Sequence, residues 1–212
     1  MYRYVATLLY AYSAVALGAA FDQSKVNGSI DVGQGQQAGD VSTVNGSIRV
    51  GSSARVQDVE TVNGSVRFDE SATAQSAETV NGAIVLGPQV AVRESVSTVN
   101  GAVTLMHGAQ VGGSLENVNG ALRVEGAQVG DGIETTNGDV LVAAGSRVEG
   151  GIHVEENHGW SWGRSKRPSV TIESGAVVNG TLEFEREVDL YVGAGATVGA
   201  VEGVAPVRHS LP

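Results

Sequence analysis

The sequence predicts an all-β chain wound as a single-domain parallel β-helix, a right-handed and three-sided solenoid with 18 to 19 residues in each coil. Three observations predict it. The pair Asn-Gly recurs at Asn27, Asn45, Asn63, Asn81, Asn100, Asn119 and Asn137, at intervals of 18, 18, 18, 19, 19 and 18 residues, and reappears at Asn179 after a gap. A short fixed period is the mark of a solenoid, and helical repeats run longer, at about 33 residues or more. The units are rich in Val, Ile, Thr and Gly, which suit strands and corners rather than helices. A second motif, Gly-Ala-x-Val, follows in later units at Gly108-Ala109-Gln110-Val111, Gly126-Ala127-Gln128-Val129 and Gly195-Ala196-Thr197-Val198. Two or three short strands per unit with glycine at the bends make a triangular coil. The nineteen-residue intervals break the six-residue grid of a left-handed hexapeptide helix, which favours the right hand.

Taken in chain order, residues 1–20 place Arg3 ahead of an apolar run that ends in Gly18, Ala19 and Ala20. This reads as a cleaved secretory signal, with an uncleaved anchor as the alternative, so the mature chain is expected to be periplasmic or secreted, with no integral span after cleavage. Residues 21–152 hold the repeats, the first of them irregular. Residues 153–168 break the rhythm, residues 169–200 resume it, and residues 201–212 read as a tail. Within a unit the alternation is that of a strand: Val44, Ile48 and Val50 are expected on one face, with Asn45, Ser47 and Arg49 on the other. Stacked at about 4.8 Å, Val44, Val62, Val80, Val99 and Val118 would then form an interior ladder. The structural corners are assigned to Asn45-Gly46, Asn63-Gly64, Asn81-Gly82, Asn100-Gly101, Asn119-Gly120 and Asn137-Gly138, on the ground that both residue types tolerate positive φ. Their side chains could also bond up the axis as an amide ladder. The Asn-x-Ser/Thr sequons at Asn27, Asn45, Asn63 and Asn179 read as by-products of this corner chemistry.

Composition narrows the function classes. With no cysteine, the chain has no disulfide staple and no cysteine for lipidation. A net charge of −10 argues against nucleic-acid binding, which draws on Lys and Arg to neutralise phosphates. The four histidines are scattered, and no HExxH or Gly-x-Ser-x-Gly joins them to a metal or nucleophile, so no catalytic residues, metal or cofactor are assigned and the chain reads as non-enzymatic.

The stretch GAQVGGSLENVNGALRVEGAQVGDGIE, from Gly108, resembles the bactofilins, and the likeness in repeat style covers roughly residues 40–152. The resemblance implies a right-handed triangular β-helix that polymerises end to end. Bactofilins are usually cytoplasmic, whereas this N-terminus reads as an export signal. The chain is also similar to adhesin-type β-solenoids. From the resemblance and the exposed strand edges of any solenoid comes the expected role: an exported envelope scaffold that self-associates through its ends.

Three outward features could carry chemistry. The first is a column of Thr43, Thr61, Thr79, Thr98 and Thr135 beside the asparagines, which reads as a hydroxyl array able to order water or lie along a sugar chain. The second is a carboxylate column of Glu60, Glu78, Glu116 and Glu134, interrupted by Ser42 and Ser97, which reads as a solvated edge and, less readily, as a calcium site. The third is the break from His153 to Pro168, which holds both tryptophans, Trp160 and Trp162, with Arg164, Lys166 and Arg167. Aromatic and basic residues on a loop suit a cell-wall glycan, and the same tryptophans could instead fold back over the side of the solenoid.

Overall fold

In a computed structural model, residues 21–157 and 167–210 are described. Residues 1–20, read from the sequence as a signal, and Trp160, Trp162, Arg164 and Lys166 of the expected ligand-binding loop lie outside them. The described chain is all-β and contains no helix: three parallel sheets stack into a β-solenoid of about nine turns. Face A has ten strands, from Phe21–Asn27 to Val201–Gly203; face B has ten, from Ile30–Val32 to Val207–Ser210; face C has seven, from Thr73–Ala74 to Thr197–Val198. Residues of one coil pair with those 18 to 20 residues away, except at Phe21, which pairs with Ala38 before a register shift, and across the break, where Val140 pairs with Val170 and Ile152 with Leu182. The last coil runs past residue 200. Val201–Gly203 pairs with Leu182–Phe184 and Val207–Ser210 with Asp189–Val192, so most of the segment read as a tail is strand.

The interior is aliphatic and continuous from coil to coil. Face A contributes Val41, Val59, Ala77, Val96, Leu115, Ile133, Ile152 and Leu182, all 0% exposed; face B contributes the ladders that begin at Ile30 and Val32, and face C the one that includes Val92, Val111, Val129 and Val148. Phe68 and Phe184 are the largest side chains inside. Each ladder member buries its apolar area against its counterparts above and below, so the lining exists only in the stack.

This arrangement corrects the expected valine ladder. Val44 and Val99 are 39% and 37% exposed, and Val62, Val80 and Val118 are half-buried, so this column faces out. The threonines face in: Thr43, Thr61, Thr79 and Thr98 are each 4% exposed. The reason is the corner. Alternation holds within a strand, but the bend at Asn-Gly resets it, so Thr43 and Ile48 both point inward although they are an odd number of positions apart. A buried hydroxyl needs a partner, and each has one. Thr43 Oγ1 donates to the Gly28 carbonyl at 3.1 Å, Thr61 to Gly46 at 3.0 Å, Thr79 to Gly64 at 3.0 Å and Thr98 to Gly82 at 3.2 Å.

Two corner glycines have the expected positive φ, Gly28 at 110° and Gly120 at 128°, but the others are required for a different reason. Gly46, Gly64, Gly82, Gly101 and Gly138 do not have positive φ, nor do their asparagines. A Cβ at Gly64 would overlap the Gly46 carbonyl of the coil before it, and one at Gly46, Gly82 or Gly101 would overlap its own predecessor in the same way. Close approach of stacked backbones excludes a side chain here.

Left-handed backbone occurs at the next bend, after face B. There Gly35, Gly108, Gly126, Gly145, Gly175 and Gly195 have φ between 63° and 81°, while the same column in three early coils holds Ser53, Ser71 and Gln89 at 57° to 58°. A side chain in this region costs about 1–2 kcal/mol, partly offset by glycine's greater freedom when unfolded. The triple variant Ser53→Gly, Ser71→Gly, Gln89→Gly is expected to gain about 0.5–1 kcal/mol per site. Urea unfolding measures it, and a midpoint at or below that of the parent contradicts the reading.

Candidate functional site

The outward face of face A carries two of the features read from sequence, the carboxylate column and the asparagine ladder. Its register runs Ser24, Ser42, Glu60, Glu78, Ser97, Glu116, Glu134, His153, Glu183 and Glu202, so the carboxylate column exists and His153 interrupts it. Two positions along each strand lie the outward valines, and beyond them the asparagines. The hydroxyl array does not form on this surface, because its threonines are inside. What the sequence reading placed inside, a column of valine, is displayed instead.

The asparagines do form an amide ladder. Asn45 Nδ2 donates to Asn27 Oδ1 at 3.0 Å, and the pattern repeats from Asn63, Asn81, Asn100, Asn119 and Asn137 to their predecessors at 2.9 to 3.1 Å. Asn157, at the start of the break, extends it with a bond to Asn137 at 3.0 Å. Asn179 does not belong to it. Val178 pairs with Val148 on face C, which places Asn179 beside Glu149, and its Nδ2 donates to Glu149 Oε2 at 2.6 Å. Three sequons have a structural use for their serines: the backbone N–H of Ser47, Ser65 and Ala83 donates to the hydroxyl of Ser29, Ser47 and Ser65 in the coil before.

A shallow acidic depression on this face is lined by Asp58, Glu60, Glu78, Glu94 and Glu116. Burial, with Glu60, Asp58 and Glu116 adding repulsion, raises the Glu78 carboxyl above its ordinary range. Burial and then Asp58 and Asp40 raise Glu60; burial and then Glu116 and Glu155 raise Glu134, which His153 opposes. Among the described residues, no group of three His, Asp or Glu is placed to hold a metal ion. The consequence is for stability. A carboxyl whose folded pKa exceeds its unfolded value holds more protons when folded, so stability rises as pH falls from 7 toward about 4.5. Glu149 runs the other way, lowered by its bonds to Arg147 and Asn179, and its contribution fades below that window. The unfolding midpoint is therefore expected to be higher near pH 5 than at pH 7, and Glu78→Gln to raise the pH 7 value and flatten the difference. A midpoint that falls steadily from pH 7 to 5 contradicts this.

The break in rhythm sits where the other coils have their Asn-Gly corner, between face A and face B, with Asn157 in the asparagine position. His153 and Val154 are still in the strand Ile152–Val154, and the chain rejoins face B at Ser169–Ile172. Three consecutive residues of the following coil secure its base, Glu185 and Glu187 from either side and Arg186 through the coil before it. The Glu156 N–H donates to Glu185 Oε2 at 2.9 Å. Arg186 Nη1 donates to the Thr136 carbonyl at 3.0 Å and to Asn137 Oδ1 at 2.8 Å. Arg167 Nε donates to Glu187 Oε2 at 2.9 Å, with Asp189 at 3.9 Å. Of the five residues assigned to a ligand-binding loop, Arg167 alone is described, and it is a pinned stem. Nothing local in the sequence marks Glu185-Arg186-Glu187 as a clasp, because its partners lie 20 to 50 residues away.

The described histidines are dispersed. His107 lies at a bend after face B, and His153 Nε2 lies 3.3 Å from Glu185 Oε1 without hydrogen-bond alignment. His209 stacks on Tyr191 at 4.5 Å and reaches Asp189 at 3.2 Å. Comparison with family models, curated proteins and solved structures finds no match for this chain. No family match or homologue supports bactofilin or adhesin identity, and what stands is the parallel β-solenoid of about nine turns.

Proposed function

We propose that this chain is an exported, non-enzymatic structural solenoid of a cell envelope that assembles through its ends. The open ends of the stack support this most. Among the described residues, Phe21–Asn27 is paired on one edge only, and Val201–Gly203 and Val207–Ser210 are the last strands of two sheets at the other end. Apolar side chains lie at both: Phe21 and Val26 are 50% and 47% exposed, Val204 and Val207 39% and 38%. Unpaired strand edges with apolar flanks are a template for another chain, and no described helix covers them. Export rests on residues 1–20 as read from the sequence.

The test is assembly of the full chain followed by light scattering and electron microscopy. Rods that lengthen with concentration, and shorten in Val26→Glu, are expected. A strict monomer at high concentration overturns the proposal. A second reading, binding of cell-wall glycan through Trp160 and Trp162, draws on the clasp that anchors both stems of their segment. Retention on cell-wall material that is lost in Trp160→Ala/Trp162→Ala would support it over the first.

A further inference from the structure

Asn-Gly is also the sequence in which a side-chain amide is most easily lost, because an unsubstituted following residue lets its backbone nitrogen reach the asparagine Cγ. The glycine nitrogen, giving up its proton, attacks Cγ; the N–Cγ bond forms, the Cγ–Nδ2 bond breaks, and Nδ2 leaves as ammonia. Water then opens the five-membered succinimide at either carbonyl, leaving Asp or an isoaspartyl linkage. No redox partner is needed. A folded chain opposes this in two ways: by engaging the glycine N–H as a donor, and by holding the amide so that Cγ cannot turn.

Most corners of this solenoid are closed in both ways. The amides of Asn45, Asn63, Asn81 and Asn100 each donate to the coil before and accept from the coil after. Their glycine nitrogens are engaged too: Gly46, Gly64, Gly82 and Gly101 donate to the carbonyls of Asn63, Asn81, Asn100 and Asn119 at 2.9 to 3.1 Å. Even at the first coil, Gly28 donates to the Asn45 carbonyl at 2.8 Å.

The pattern stops at Asn119-Gly120. The Asn119 amide remains in the ladder, but the Gly120 N–H has no hydrogen-bond partner among the described residues. The cause is one coil further on. Here Asn117 stands in the buried threonine column, and Thr135 Oγ1 donates to Asn117 Oδ1 at 2.5 Å. The Gly138 N–H donates to Thr135 Oγ1 at 2.8 Å, and the Asn137 N–H reaches back to the Val118 carbonyl at 2.8 Å. The corner after Thr135 is thereby refolded. Strand pairing across this junction ends at Asn117 with Thr135, whereas the coil before includes the Asn100 with Asn119 rung. Asn119 and Gly120 are both exposed to water.

We propose that Asn119-Gly120 is a self-modification site of the folded protein, the corner that cyclises and deamidates first while its sister corners are held closed by the stack. The product removes the donor to Asn100 Oδ1 and sets a carboxylate in the ladder; the isoaspartyl form also adds a backbone carbon to a corner whose register must match its neighbours. Either loosens the stack near its middle.

The experiment ages the folded full chain at mildly alkaline pH and maps peptides by mass spectrometry, resolving Asp from isoaspartate, with a parallel sample in urea. Asn119 is expected to react about tenfold faster than Asn45, Asn63, Asn81 and Asn100, the rate equivalent of one freed hydrogen bond. In urea the difference is expected to collapse. Asn117→Thr, which restores the residue of the other coils, is expected to slow Asn119 to the rate of its sisters. Equal rates in the folded chain, the same ranking in urea, or no slowing in Asn117→Thr would each overturn the proposal.

Discussion

Gly64→Ala is expected to cost at least about 3 kcal/mol, the upper end of what overpacking costs, because the new methyl meets a backbone carbonyl rather than a side chain that can move aside. The atom in the way is the Gly46 oxygen, held in place as the acceptor of Thr61 Oγ1. Gly145→Ala is the informative companion. Nothing lies within 4 Å of a Cβ there, and the only obstacle is its φ of 74°, worth about 1–2 kcal/mol. Urea unfolding of the two variants side by side separates crowding from backbone strain. Equal losses would sink the close-approach explanation of the Asn-Gly corner.

Val96→Asp is expected to abolish folding of the central coils, and Val99→Asp to be tolerated. The two valines share a strand three residues apart, yet Val96 is 0% and Val99 37% exposed. A carboxylate at Val96 would be buried among Ala77 and Leu115 with no partner, at a cost of several kcal/mol. At Val99 it would face water, and the loss should stay near the roughly 1 kcal/mol spanned by strand propensities. Soluble expression and circular dichroism report the outcome. If Val99→Asp proves the more damaging, the valine column is interior after all.

Much of the fold can be read from the sequence because its signals are local or strictly periodic. The Asn-Gly spacing implies the coil length, the Val, Ile and Thr content implies strands, and the amides one period apart do bond as a ladder. The candidate site was harder. The parity of Thr43 and Val44 could not be read across the bend, since alternation counts residues only within one strand. Asn179 matched the marker in type but not in place, because the break shifts which bend it occupies. The clasp of Glu185, Arg186 and Glu187 joins residues 20 to 50 positions apart, and no local pattern announces such contacts.

By itself, then, the sequence determined that this protein winds into a parallel three-sided stack of 18- to 19-residue coils, since period and strand content follow from composition and spacing alone. The tertiary structure decided which column lines the interior, why glycine is obligatory at the Asn-Gly corner, and which corner is left open. Each of those depends on atoms one full coil away: the Gly carbonyl that both accepts from threonine and excludes a methyl group, and the asparagine carbonyl that either reaches the glycine N–H before it or does not.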